Sequence, residues 1–316
     1  MKSTNDTATT HAPVVPEKVS GVTSLQLFAA LTVGLTTAGA GVAVWQLVTG
    51  QVGTLELVLL AVFYFTTALG IEVGFHRFFS HTAFKGPLAT TWLLGILGSM
   101  AAQGPLLFWA ATHRKHHAHT DKPGDPHSPY YQSTGKKASG RIAGLFHAHM
   151  GWLFAREQAS WARYAPDLLR RRELITINSQ YLLWVMVGLL LPAAIGGVLS
   201  SAWEGVWRGL IWGGLLRIFL LDHVTWSVNS LCHTLGSQPH KVTDNSRNVF
   251  LLCIPSVGGS FHNNHHAFPS GARNDHQSRW QLDLSGIFIE SMGRLGLARN
   301  IRRYQADTGK IITERK

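Results

Sequence analysis

An all-α integral membrane fold, with four transmembrane helices in two hairpins and a cytoplasmic helical cap, is predicted by three observations on this 316-residue chain. Charged residues make up 14%, against about 25% in a typical soluble protein, and the mean hydropathy is positive, +0.08. Five apolar stretches lie near the ~20 residues that a hydrocarbon core requires. Of 17 histidines, eight fall in three clusters, two at the edges of those stretches and the third beyond the last. The composition also excludes disorder, collagen and a disulfide scaffold, since apolar residues reach 46% and Cys232 and Cys253 lack any metal-type spacing. The net charge of +11 is spread among apolar segments without a nucleic-acid motif. No nucleic acid is expected as a partner; a membrane headgroup or an anionic substrate fits better.

Residues 1–20 are polar, with Pro13 and Pro16, and read as a flexible tail too polar for a signal peptide. The apolar stretches follow: Leu25 to Val48, Leu55 to Phe75, Leu88 to Ala111, Ile177 to Leu199 and Val206 to Trp226. The clusters are His76-Arg-Phe-Phe-Ser-His81, His113-Arg-Lys-His116-His117 and His262-Asn-Asn-His265-His266. If they build one site, the chain between any two must cross the membrane an even number of times, or the ligands would lie about 30 Å apart. Only Leu88 to Ala111 separates the first two clusters, so it is predicted not to span. Gly86-Pro87, Gln103 and Gly104-Pro105 interrupt it, as suits helices folded under the site. Spans remain at about 25–48, 55–75, 177–199 and 206–226, within a domain at 21–300 that ends in a basic C-terminal tail, 301–316. Basic residues avoid the two hairpin loops and crowd the stretch from Arg114 to Arg172, which places the clusters and both termini in the cytoplasm.

On a helix, positions i, i+3 and i+4 share one face, so His113, His116 and His117 can converge on a metal, as can His262, His265 and His266. Asn229 and His233 share a face for the same reason. His76 and His81 are five apart, so the helix is expected to end or distort between them. Nine imidazoles are too many for one ion and suit two, each with a position open for oxygen or substrate. The soluble di-iron pattern Glu-x-x-His is absent, and spacing alone does not name the metal. Neutral ligands leave such a site its full cationic charge, which favours strongly oxidising chemistry. The other histidines (His11, His119, His127, His147, His149, His223, His240 and His276) are read as packing, loop or outer residues.

These boxes, with Gly74-Phe75-His76-Arg77, Asp125-Pro126-His127, Gly151-Trp152 and His262-Asn-Asn-His-His-Ala-Phe-Pro269, closely resemble the membrane fatty-acyl desaturases of the acyl-CoA (stearoyl-CoA, delta-9) type over roughly Leu55 to Ala298. The resemblance implies two Fe ions held by His76, His81, His113, His116, His117, His233, His262, His265 and His266, with Asn229 reaching one through water. It implies O2 as co-substrate and a cis double bond inserted into a saturated acyl chain, most often at the ninth carbon of an acyl-CoA. Gln103, Trp109 and Thr225 match by position the residues that shape the bend of the acyl tunnel in that family. No cytochrome b5-like, flavin or iron–sulfur motif is present, so the two electrons are expected from a separate donor: ferredoxin, cytochrome b5 or a reductase. Lacking an ER signal or attached b5 domain, the chain is expected in a bacterial cytoplasmic membrane.

Departures from the family pattern bear on the tether. Arg156-Glu157 stands where the acyl-CoA enzymes have Arg-Lys, which leaves Arg156 as the candidate contact to the substrate and weakens the case for CoA. Gly258-Gly259-Ser260-Phe261 lacks a carboxylate usual before the third box, and the loop from Asp125 to Gly151 looks long. An acyl lipid or acyl-carrier tether, or hydroxylation or acetylenation by the same chemistry, are the alternatives. A metal carrier would need ligands near the midplane with access from both sides, and these clusters lie on one side. Glu72 and Asp222 sit inside apolar spans, where an unpaired charge costs several kcal/mol. One or both are expected to accept a hydrogen bond from the outer nitrogen of a ligand histidine, the bland alternative being a pair with Arg77 or Arg217.

Overall fold

The computed structural model describes residues 24–276, 280–305 and 309–313; the expected tail 1–20 lies outside the described residues. Helix α1 (Ser24–Val48) is followed across the short turn 49–53 by α2 (Thr54–Leu69), which widens without a break into a π-helical segment, Gly70–Ser80. The third apolar stretch is two helices, α3 (Leu88–Ser99) and α4 (Leu106–His119), separated where Ala102 and Gly104 turn to positive φ, 64° and 100°. At 1.5 Å per residue α3 is about 18 Å long, too short to cross a bilayer core. Short helices α5 (Arg141–His149), α6 (Trp161–Tyr164), α7 (Pro166–Leu169) and α8 (Arg172–Ser179) lead to α9 (Tyr181–Ser200). A continuous rod over 203–230 follows, made of α10 (Trp203–Gly209), a second π-helical segment (Leu210–Leu216) and α11 (Arg217–Ser230). Helices α12 (His262–Ala267) and α13 (Leu284–Arg294) precede a small antiparallel pair, β1 (Arg302–Gln305) and β2 (Lys310–Thr313). The region read as a basic tail is thus a hairpin over its described residues. It is pinned to the body, with Arg302 N–H donating to Ala83 O and Ala272 N–H to Arg302 O.

Among the described residues three helices are long and apolar enough to cross a membrane: Ser24–Val48, Thr54–Ser80 and Tyr181–Ser200. The expected fourth span, 206–226, is not among them, because Arg217, Asp222 and His223 dilute its apolar run. The outward faces carry exposed apolar side chains, such as Leu27, Leu31 and Leu35 on α1, Val58 and Val62 on α2, and Leu183, Met186 and Leu190 on α9. Unpartnered rows of this kind suit lipid rather than water.

Where the helices meet, small residues set the spacing. A Cβ added at Gly70 would lie 2.4 Å from the Gly98 nitrogen, so α3 crosses the rod at backbone contact. Arg217 is fully buried and spends its guanidinium on three carbonyls: Met100 O and Gly188 O at 2.7 Å, and Gly213 O at 3.1 Å. It thereby ties the α3–α4 break to α9. Replacing Arg217 with Met should lower the thermal midpoint by the equivalent of about 3 kcal/mol, since buried carbonyls lose a charged donor. An unchanged melting curve in detergent would contradict this role. The main core lies against the histidine clusters and gathers Phe75, Phe78, Phe79 and Phe84 with Leu94, Leu106, Leu107, Ile177 and Ile289.

Candidate metal centre and cavities

The nine histidines singled out by the sequence come together as two sets. One ring nitrogen each of His76, His81, His113, His117 and His265 lie within 4.8 Å of one another, and so do those of His116, His233, His262 and His266. Local backbone geometry explains the arrangement. His81 N–H donates to His76 O at 3.1 Å, the i to i+5 bond of a π-turn, which brings residues five apart onto one face. The expected distortion between them is therefore a widening of the helix. His233 leaves α11 through the 3-10 turn Leu231–His233.

Each His-x2-His-His box divides between the sets instead of converging on one metal, which corrects the sequence expectation. His113 and His117 stay together, as do His262 and His266, while His116 and His265 each cross to the other set. At about 100° per residue, i+4 falls ~40° to one side of i, and i+3 falls ~60° to the other.

Behind the ligands stand carboxylates. His116 Nδ1 is 3.0 Å from Asp125 Oδ1, His233 Nδ1 is 3.0 Å from Asp121 Oδ2, and His266 Nδ1 is 3.1 Å from Asp244 Oδ2. His76 Nδ1 lies 2.9 Å from Glu72 Oε1. At His116, His233 and His266 the carboxylate holds the proton on Nδ1 and turns the Nε2 lone pair inward, the arrangement that a metal ligand needs. Asp121 reaches its partner because it takes the left-handed conformation (φ 56°) just beyond the end of α4, a place where short polar residues are tolerated. Burial opposes the charge of Asp125, yet His116, His127 and the Asp121 N–H hold it below the ordinary carboxylate range.

The donor set fits a metal. His233 and His266 spend their Nδ1 protons on Asp121 and Asp244, and both Nε2 atoms then face His262 Nε2 at 3.0 Å. One imidazole cannot supply a proton to both, so lone pairs confront one another unless a cation lies between them. Burial, reinforced by neighbouring imidazoles, keeps His81, His113, His117, His262, His265 and His266 well below the ordinary histidine range, so they stand ready as neutral ligands. A third grouping, His116 with Asp125 and His127, shares its histidine with the four-histidine set and reflects the same carboxylate seen from its other side.

Two cavities adjoin the sets. An outer one is bounded by α1, the α3–α4 break, α11 and the segment 152–159; an inner, smaller one is bounded by α2, α11 and the turn 255–259. Trp109, His113, Thr225 and Asn229 line both. At that junction Gln103 Nε2 donates to Thr225 Oγ1 at 2.9 Å, and Trp109 Nε1 donates to Gln103 Oε1 at 3.4 Å. The three residues matched to a tunnel bend are thus bonded to one another, and Trp109 stacks on His113 at 5.1 Å.

Other expected site residues fall differently. Arg156 is exposed and outside both linings, while its neighbour Glu157 lines the outer cavity; no Lys or Arg lines that cavity among the described residues. Asp222 is buried beside Gln103 and Arg217, and its Oδ1 has no hydrogen-bond partner; the expected contact to a ligand imidazole is not formed among the described residues. Its seven-residue distance from Asn229 puts it two turns away along α11, facing the outer cavity. Glu72 takes the bland alternative, accepting from Arg77 Nε and Nη2, while its Oε1 lies 2.9 Å from His76 Nδ1 without hydrogen-bond geometry. Asp121, Asp125 and Asp244 were not singled out as outer partners. For Asp125 a signal existed, because an acidic residue close behind a histidine box can reach its Nδ1 atoms; Asp121 acts instead on His233, 112 residues on, and Asp244 lies far from any box in sequence.

Residues 52–284 match the family model described as fatty acid desaturase. The chain is 39% identical over 265 residues to a hex-5-enoyl-[acyl-carrier protein] acetylenase of Moorena producens, covering 84% of this chain and 81% of that one. It is 31% identical to an sn-1 stearoyl-lipid 9-desaturase of Anabaena variabilis, covering 78% and 83%. A probable acyl-CoA desaturase of Schizosaccharomyces pombe is 30% identical, over 83% of this chain and 52% of its own length. With two histidine sets beside the junction of two cavities and a family match over most of its length, the chain is an oxidoreductase that belongs to the fatty acid desaturase family.

Proposed function

We propose that this protein is a di-iron, O2-dependent desaturase that inserts a cis double bond into a saturated fatty-acyl chain. The observation that carries the reading is the junction itself, where Trp109, Thr225 and Asn229 bring an apolar cavity against both histidine sets. The nine imidazoles would hold two irons, with Asn229 beside them; when bound, these would supply the O2 and redox chemistry, with two electrons from a separate donor. The chain's own work is positional. The Gln103–Thr225–Trp109 bonds fix the bend, so that one pair of carbons is presented to the site. Carboxylates on Nδ1 fix ligand tautomers, and the apolar walls exclude water. In the membrane we infer four crossings, with the boxes and both termini on the cytoplasmic side of a bacterial cell.

A delta-9 acyl-CoA is the substrate that the histidine-box resemblance suggests. A carrier-protein tether, with acetylenation as an outcome, is the second reading. It is favoured by the exposed position of Arg156 and by an outer-cavity lining that, among the described residues, offers no Lys or Arg for CoA phosphates. Expression in a host without oxygen-dependent desaturation, followed by gas chromatography and mass spectrometry of its fatty acids, tests both. New monoenes that require oxygen support desaturation, with derivatisation placing the bond. Alkynes formed only on carrier-bound chains support the second reading, and an unchanged profile from a protein holding two irons, supplied with a donor, opposes both.

A further inference from the structure

Unlike the three carboxylates behind the four-histidine set, the one behind the five-histidine set is not free to act alone. Asp121, Asp125 and Asp244 are held by backbone and side-chain donors: Asn245 N–H on Asp121, the Asp121 and His127 N–H groups on Asp125, and Ser246 N–H on Asp244. Glu72 Oε1 instead accepts from Arg77, at 3.1 Å from Nη2 and 3.3 Å from Nε, and lies 2.9 Å from His76 Nδ1 in a close contact without hydrogen-bond geometry. Arg77 is 1% exposed and faces away from the metals toward Asp283, which it grips with both ends of its fork, Nη1 on Oδ2 at 2.8 Å and Nη2 on Oδ1 at 2.9 Å. Nη1 also donates to Ala272 O at 2.8 Å. Asp283 is itself fully buried. It caps α13 by accepting from Gly286 N–H at 3.0 Å and accepts from Asn274 N–H at 2.7 Å.

The relay therefore runs from the start of α13, through a buried arginine, to a carboxylate and a ligand histidine. A planar fork bound on both sides leaves Arg77 no rotational freedom, and Glu72 can meet it only in the rotamer that also faces His76. We propose that Asp283 is a positioning residue for the five-histidine metal, acting through Arg77 and Glu72 on His76, so that the two metal positions are secured by separate parts of the chain. The proposal rests on the two-iron reading above and concerns which residues hold each iron in place. Asp121, Asp125 and Asp244 secure one position; Asp283, with Ala272 and Asn274 around the Arg77 fork, secures the other.

Asp283→Asn is the informative variant, because Asn caps a helix as well as Asp does. It removes the charge that Arg77 needs and turns one acceptor into a donor facing Arg77 or Asn274. The experiment measures iron per chain in the purified, iron-loaded membrane protein after dialysis against a chelator, with the thermal midpoint and the Mössbauer spectrum recorded in parallel. Loss of an outer partner weakens metal affinity about 10- to 100-fold. The expected result is a fall from two irons to one in Asp283→Asn, with one Mössbauer site retained and the fold intact. Glu72→Gln, which cuts the last link without touching α13, should lose the same spectral site. Asp244→Asn should lose the other. Two irons retained in either Asp283→Asn or Glu72→Gln overturns the relay, as does loss of the same site in Asp244→Asn. Should Asp283→Asn fail to fold, Glu72→Gln against Asp244→Asn decides alone. A wild-type protein without iron would overturn the two-iron reading instead.

Discussion

His265→Ala should reduce oxygen-dependent product to the level of cells carrying an empty vector, and iron in the purified protein from two per chain to one. His265 is the member of the five-histidine set that comes from α12, and its Nε2 lies 3.0 Å from His76 Nε2 and 2.9 Å from His117 Nε2. It is 1% exposed, so no water channel stands ready to replace the missing ligand. Removing it opens the set on the side of the third box while leaving His262 and His266 with the other metal. One iron cannot do the work of two if the oxidation draws on both, and activity should vanish although half of the metal remains. His147→Ala is the matching control, being a half-buried histidine outside both sets that approaches Ser133 Oγ at 3.5 Å. It should keep two irons and full product. Substantial turnover in His265→Ala would mean that the five-histidine set is not a catalytic metal position.

The histidine boxes could be read from the chain because imidazoles at i, i+3 and i+4 beside an apolar stretch have few other uses. The non-spanning stretch 88–111 followed from the same clusters, once they were required to lie on one side. The partition of the boxes was not visible in this way. It depends on where α4 and α12 sit relative to two metals, a tertiary fact that spacing does not contain. The pair His76 and His81 shows a finer limit, since five residues break an α-helical face but complete a π-helical one, and nothing local announces the wider turn. Charges inside the apolar rods were flagged as needing partners, yet the partners differ in kind. Glu72 found Arg77, five residues on along the same π-turn; Arg217 found backbone carbonyls, which no sequence pattern marks. Asp244 and Asp283 were illegible because each acts on a residue more than 20 positions away.

Thr225→Phe should abolish turnover while leaving both irons bound, the reverse of what a ligand variant does. Thr225 lies on α11 where the outer and inner cavities join, and its hydroxyl accepts from Gln103. A phenyl ring there occupies the passage and cannot accept from Gln103, whose amide also receives Trp109. None of the nine histidines bonds to Thr225 among the described residues, so the metal positions should be undisturbed. Iron content and the thermal midpoint should match the wild type, while product falls to background. Thr225→Ser keeps the hydroxyl and loses only a methyl group, and should retain activity with at most a change in the position of the double bond. These variants separate two ways of being inactive, a site without metal and a site without access. If Thr225→Phe turned over normally, the acyl chain would have to reach the metals by a route other than this junction, and the bend formed by Gln103, Trp109 and Thr225 would be structural packing only.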